Sequence, residues 1–152
     1  MFSGEFPSKI FNLPNLRYLS LYGNPSLTGS FPGFRKGSHL RYLDISATGF
    51  SGELPSSIGN LNSLNYLDIS SCSFQGTIPL SMANLSQLTY LALSDNNFNT
   101  WTLPSWLERL SQLSGLFLDD TNLRGEISSS LANLTRLNNL FLQSNHLTGP
   151  IP

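Results

Sequence analysis

The chain has 152 residues, a formal net charge of −1 and only 11% charged side chains, a balance that offers no basic field to nucleic acid or to an anionic membrane surface. No apolar run approaches the roughly 18–20 residues needed to cross a bilayer, so no membrane insertion by this segment is expected. Met1 to Glu5 lacks the basic start and apolar core of a secretory signal, which places any leader or anchor outside the segment.

In chain order, the sequence opens with half a repeat, Phe2 to Pro7, and then states one pattern six times. The tracts Leu16 to Asn24, Leu40 to Thr48, Leu64 to Cys72, Leu88 to Asn96, Leu113 to Thr121 and Leu137 to Asn145 align without gaps. Their central leucines Leu19, Leu43, Leu67, Leu91, Leu116 and Leu140 are separated by steps of 24, 24, 24, 25 and 24 residues. A fixed period of this size predicts a solenoid, in which each coil buries its apolar edge only against its neighbours. Such a scaffold presents an open surface rather than an enclosed catalytic pocket. A single array over residues 1–152 is therefore expected, with partial repeats at both ends and no capping domain.

Within each tract the Leu-x-Leu alternation, as in Leu19-Ser20-Leu21, has the two-residue period of a half-buried strand. Stacked coils then pair these strands into a parallel sheet on the concave side. The residue that follows, Asn24, Thr48, Cys72, Asn96, Thr121 or Asn145, forms a ladder whose polar group can satisfy backbone left unpaired by the turn. Cys72 occupies one rung, so it is read as a small buried group rather than a reactive thiol, and a lone cysteine permits no internal disulfide. After the ladder come Leu27 to Pro32, Phe50 to Pro55, Phe74 to Pro79 and Leu147 to Pro152. Here Gly permits a bend and Pro ends a short extended stretch. A 3₁₀ or helical turn is expected to return the chain on the convex side, with Ile58, Leu61 and Leu64 inward. Three departures stand out: a shortened return at Gly33 to Gly37, an inserted Trp101 with loss of Gly in the fourth repeat, and Ser128 in place of Pro in the fifth.

The pattern Leu-x-x-Leu-x-Leu-x-x-Asn-x-Leu-x-Gly-x-Ile-Pro on a 24-residue period resembles the plant-specific class of extracellular leucine-rich repeats. The likeness covers nearly the whole chain. Gly23 to Gly29, Ile69 to Phe74 and Leu103 to Leu107 look most like receptor-like proteins of the disease-resistance kind. The resemblance implies an α/β solenoid, a right-handed leucine-rich-repeat superhelix with an additional strand at the Gly-x-Ile-Pro edge. It also implies an internal fragment of a longer ectodomain, because the cysteine-paired caps of such proteins are missing. The implied role is a ligand-binding module of a plant cell-surface immune or developmental receptor at the outer face of the plasma membrane. Its ligand would be a peptide, glycan or pathogen protein, and its partner a receptor kinase. Two other readings stand beside it: a secreted, cell-wall inhibitor of the polygalacturonase-inhibitor kind, and a structural fragment without independent activity.

Strand alternation turns Tyr18, Tyr42, Tyr66 and Tyr90 outward in one concave column, followed by Gly115 and Asn139. The next column reads Ser20, Asp44, Asp68, Ala92, Phe117 and Phe141. Entries in a column lie about 4.8 Å apart. The aromatic members are either lateral packing or interface anchors, with Phe117 and Phe141 the sharper candidates for ligand contact. Asp44 and Asp68, spaced near the ~5 Å of a retaining glycosidase pair, are expected on an open face where nothing desolvates one of them. They are therefore assigned, with Asp119, to polar contact with a basic ligand, and no enzymatic activity is expected. No cofactor is implied. His39 and His146 lie about four coils apart and cannot share a metal. Two sequons, Asn84-Leu-Ser86 and Asn133-Leu-Thr135, fall at one repeat position away from the concave face and are candidate glycosylation sites.

Overall fold

The computed structural model describes residues 1–152 and places six parallel strands in one inner sheet. They are Tyr18–Ser20, Tyr42–Asp44, Tyr66–Asp68, Tyr90–Ala92, Gly115–Phe117 and Asn139–Phe141. Their register follows the repeat, with Leu43 opposite Leu67 and Leu67 opposite Leu91. Each coil donates backbone hydrogen bonds forward, as from Ile45 N–H to the Asp68 carbonyl at 3.0 Å, and backward, as from Tyr66 N–H to the Arg41 carbonyl at 3.1 Å. The leucine columns close behind the sheet: Leu43, Leu67 and Leu116 are fully buried. Each such side chain contributes roughly 1.5–3 kcal/mol, so the columns dominate stability.

The Gly-x-Ile-Pro edge carries its own strands. Gly4–Glu5, Leu27–Gly29, Gly49–Glu53, Ser73–Gly76 and Asn97–Phe98 pair in parallel, and Trp101–Thr102, Leu123–Glu126 and His146–Thr148 form a second group. The break falls at the Trp101 insertion. The fourth coil ends the first group with Asn97–Phe98 and starts the second three residues later. Trp101 donates its indole N–H to the Thr121 carbonyl at 2.9 Å, so the extra residue leans onto the following coil.

Five 3₁₀ turns make the return: Ser8–Asn12, Ser56–Asn60, Leu80–Asn84, Ser105–Arg109 and Ser129–Asn133. There is no α-helix, and no helix is long and apolar enough to cross a membrane. Four turns follow a proline. The fifth follows Ser128, whose hydroxyl accepts from the Ser130 N–H and replaces the rigidity of proline with a side-chain cap. The shortened return at Gly33 to Gly37 forms no 3₁₀ turn. Phe31 and Phe34 fill that space, with ring centroids 5.4 and 6.1 Å from Phe11 in edge-on contacts.

Candidate functional site

Tyr42, Tyr66 and Tyr90 stack face to face on the inner sheet, with centroids 4.4 and 4.2 Å apart and ring planes within 14° and 8°. Parallel in-register strands impose this spacing, since identical residues on neighbouring coils stand one strand apart. Tyr18 continues the row at 6.4 Å and is 67% exposed. Gly115 follows Tyr90 and has no side chain to offer. Phe117, two residues on, folds its ring back over that glycine: a Cβ on Gly115 would lie 2.9 Å from the Phe117 ring. Phe117 thereby packs 4.9 Å from Tyr90, and Phe141 extends the row at 4.8 Å. The two columns that strand alternation separates are joined into one ladder of six rings. Column counting alone does not show this crossover; the signal is a glycine two residues before an outward aromatic.

The inner tyrosines expose edges and hydroxyls, because their faces cover one another. Burial and the neighbouring Tyr90 phenol raise the Tyr66 pKa, so it stays protonated at any physiological pH. Tyr42 and Tyr90 shift the same way, chiefly through burial, with Asp44 and Asp68 respectively adding to it.

Asp44 and Asp68 do not lie on an open face. Each is only 8% exposed, which corrects their assignment as charges offered to a basic ligand. Alternation does turn them outward, but the tyrosine row on one side and the serines on the other close over them. Asp44 Oδ1 accepts from the Ser46 N–H at 3.0 Å and its hydroxyl at 2.6 Å, and Tyr42 donates its hydroxyl to the other oxygen at 3.3 Å. Asp68 repeats the Asp-x-Ser arrangement with Ser70. Burial raises the Asp68 carboxyl above the ordinary carboxylate range, against the opposing pull of the Ser70 bonds. The premise that nothing desolvates either carboxylate is overturned as well. Both are committed to internal hydroxyl and backbone donors. Ala92 breaks the series and is itself buried. Ser94 there donates forward to Asp119, which is half-buried.

The ladder residues divide by chemistry. Asn96 is 6% exposed and ties two coils: its amide donates to the carbonyls of Ile69, Leu93 and Ser94, and its oxygen accepts from the Phe74 N–H at 2.9 Å. Asn145 donates to Leu118 and Leu142, and Asn24 to Leu21. Thr48 and Thr121 satisfy carbonyls of their own turns at 2.7 Å. Cys72 is half-buried and donates its thiol to the Ile45 carbonyl at 3.2 Å. Burial raises its pKa, which leaves it a protonated thiol of low reactivity. Asn84 and Asn133 each end a 3₁₀ turn on the far side of the coil and are exposed.

Charge is segregated along the chain, although the net value of −1 hides it. Residues 1–43 hold five cations against Glu5, a net +4, while residues 44–152 hold three cations against eight carboxylates, a net −5. With Asp44 and Asp68 buried, the exposed charges at the entrance to the first two inner strands are Arg17 and Arg41.

A parallel inner sheet, a second strand edge and 3₁₀ returns on a 24-residue period define a leucine-rich-repeat solenoid. The match to the leucine-rich repeat region model runs over residues 16–149, and the chain belongs to that family. Receptor-like protein 6 of Arabidopsis thaliana is 44% identical over 61 residues, 40% of this chain and 6% of that protein. The crystal structure of PEPR1–AtPEP1 superposes with a TM-score of 0.91 at 31% identity, covering 99% of this chain and 21% of that one. The ectodomain of the Arabidopsis receptor kinase HAESA, in complex with an N-terminally extended IDA peptide hormone, gives 0.89 at 37% identity, over 99% and 26%. The chain thus spans a small fraction of the length of these relatives.

Proposed function

We propose that this chain is one stretch of the ligand-binding ectodomain of a plant cell-surface receptor, and that the six-ring ladder is its contact strip. The observation that carries the reading is the continuity of that ladder. Aromatic side chains anchor interfaces at low entropic cost, and here sheet register and mutual stacking hold six of them in place before any ligand arrives. Preorganisation of this kind removes ordering cost from binding. The superposable ectodomains in complex with AtPEP1 and IDA support a peptide as the ligand. The HAESA complex that also contains the co-receptor SERK1 supports a partner kinase. A role in immunity or development at the outer face of the plasma membrane belongs to the same proposal, as does N-glycosylation at Asn133.

The test is titration of the chain against a panel of plant signalling peptides that includes AtPEP1 and IDA. Phe141→Ala and Tyr66→Ala are each expected to weaken a bound peptide by about 1–2 kcal/mol, whereas Asn133→Gln leaves affinity unchanged. Full affinity retained in both aromatic variants would remove the ladder from the site.

A further inference from the structure

We infer that a second recognition surface, separate from the aromatic ladder, lies along the edge where the chain leaves its returns and enters the inner strands, and that it takes an acidic peptide segment. Three grooves run together there. The largest, about 490 Å³, reaches from Lys36 past Asn62 and Asn84 to Arg109. A second, about 240 Å³, shares Lys36 and Gly37 with it and adds Arg35. A third, about 290 Å³, shares Asn62 and adds Arg41. No carboxylate lines any of the three, and Arg35, Lys36, Arg41 and Arg109 are all exposed.

Its chemistry selects the occupant. The guanidinium forks match carboxylates, and the asparagine amides between them both donate and accept, as a peptide backbone does. Apolar lining is confined to Leu13 and Pro14 at one end and Ala83 in the middle, too little to hold a hydrophobic segment along the length of the trough. Three coil steps separate the return that carries Lys36 from the one that carries Arg109. At about 4.8 Å per step this is roughly 14 Å, the span of about four or five extended residues. The fit is an extended run of that length carrying two or more Asp or Glu side chains. This deepens the receptor reading, on which it rests only for the choice of a peptide as occupant. It also reverses the charge preference that Asp44 and Asp68 suggest, since those two carboxylates are buried and the charge lining the trough is cationic.

The experiment uses fluorescein-labelled hexaglutamate, with hexalysine and an unlabelled oligogalacturonate for comparison, and reads anisotropy against the whole chain. Hexaglutamate is expected to bind saturably at low salt and to weaken as salt rises. Arg41→Glu with Arg109→Glu is expected to lower its affinity about tenfold or more and to confer binding of hexalysine. An unchanged far-ultraviolet circular dichroism spectrum shows that the double variant is folded. Phe141→Ala, two coils beyond the trough, is expected to bind hexaglutamate as the parent does. Absence of binding at low salt, or binding indifferent to charge reversal, would overturn the inference. So would oligogalacturonate displacing the peptide at equal or lower concentration, which would make the trough a carbohydrate site. Phe141 lies two coils beyond Arg109, the last charged residue of the trough, so the two proposals can fail separately.

Discussion

Two backbone donors, the N–H groups of Thr121 and Leu123, converge on the amide oxygen of Asn145 at 3.0 Å each. At the equivalent place three coils earlier, Thr48 and Phe50 face Cys72, and the Phe50 N–H finds only the Thr48 hydroxyl at 3.4 Å. Cys72→Asn restores the missing acceptor and should stabilise the chain by about 0.5–1.5 kcal/mol, seen as a higher urea midpoint at unchanged slope. Asn96→Ala works the other way. It strands the Phe74 N–H and the Ile69 carbonyl, and should cost about 1–3 kcal/mol in the same measurement. Asp68 supplies a pH signature. Its folded pKa lies above the unfolded one, so between those two values the native state binds the proton more strongly and this group's contribution to stability falls as pH rises. Asp68→Asn keeps an acceptor for Ser70 without the charge. The variant should therefore gain on the parent at neutral pH, and the difference should shrink as pH falls through the folded pKa toward the ordinary carboxylate range. A difference that stays constant with pH would show that burial does not hold the Asp68 proton. That the ladder positions matter was legible, because six polar or small residues recur in one frame. Which rungs bridge coils was not, since it depends on whether the side chain carries both a donor and an acceptor.

The turn that each ladder residue follows has a feature the repeat pattern conceals. Gly23, Ala47, Ser71, Asp95, Asp120 and Ser144 occupy the same frame position, and all have positive φ, between 51° and 75°. Only one of the six is glycine, so residue identity gave no hint of a left-handed turn, although such a conformation costs an L-residue about 1–2 kcal/mol. Ala47, with φ of 53°, has no polar side chain to compensate. Ala47→Gly should raise stability by about 0.5–1 kcal/mol once the extra freedom of glycine in the unfolded chain is set against the relieved strain. No gain in the thermal midpoint would mean that the turn holds Ala47 without strain. Strands and returns were otherwise readable from period two and from the Gly and Pro that punctuate each coil. The crossing of Phe117 over Gly115 and the covering of Asp44 and Asp68 escaped, because alternation tells which face a side chain leaves from and not what its neighbours then close over. The shortened return is a similar case: its length was visible, but its replacement of a 3₁₀ turn by packed phenylalanines depends on contacts with Phe11 in the preceding coil.

Across the whole molecule, stability is a sum of coil terms and coil–coil interfaces, because each coil touches only its neighbours. Burial of the central leucine grades accordingly. It is complete at Leu43, Leu67 and Leu116, while Leu140 is 40% exposed. Leu67→Ala removes contacts on both sides of a coil and should cost about 2–5 kcal/mol, and Leu140→Ala well under half of that. The same gradient should govern native-state hydrogen exchange. Amides of Tyr66–Asp68 and Tyr90–Ala92 open only when two interfaces part on each side, so they should exchange slowest, and those of Asn139–Phe141 fastest. Aromatic stacking reinforces the middle of this gradient, since the Tyr42, Tyr66 and Tyr90 rings bridge three coils in one direction. Tyr66→Ala should therefore accelerate exchange on both flanking inner strands while leaving Asn139–Phe141 unchanged, a pattern that separates coil coupling from global destabilisation. Equal protection in all six inner strands would instead show that the array opens as one cooperative unit, with interface terms large enough to hide the burial gradient.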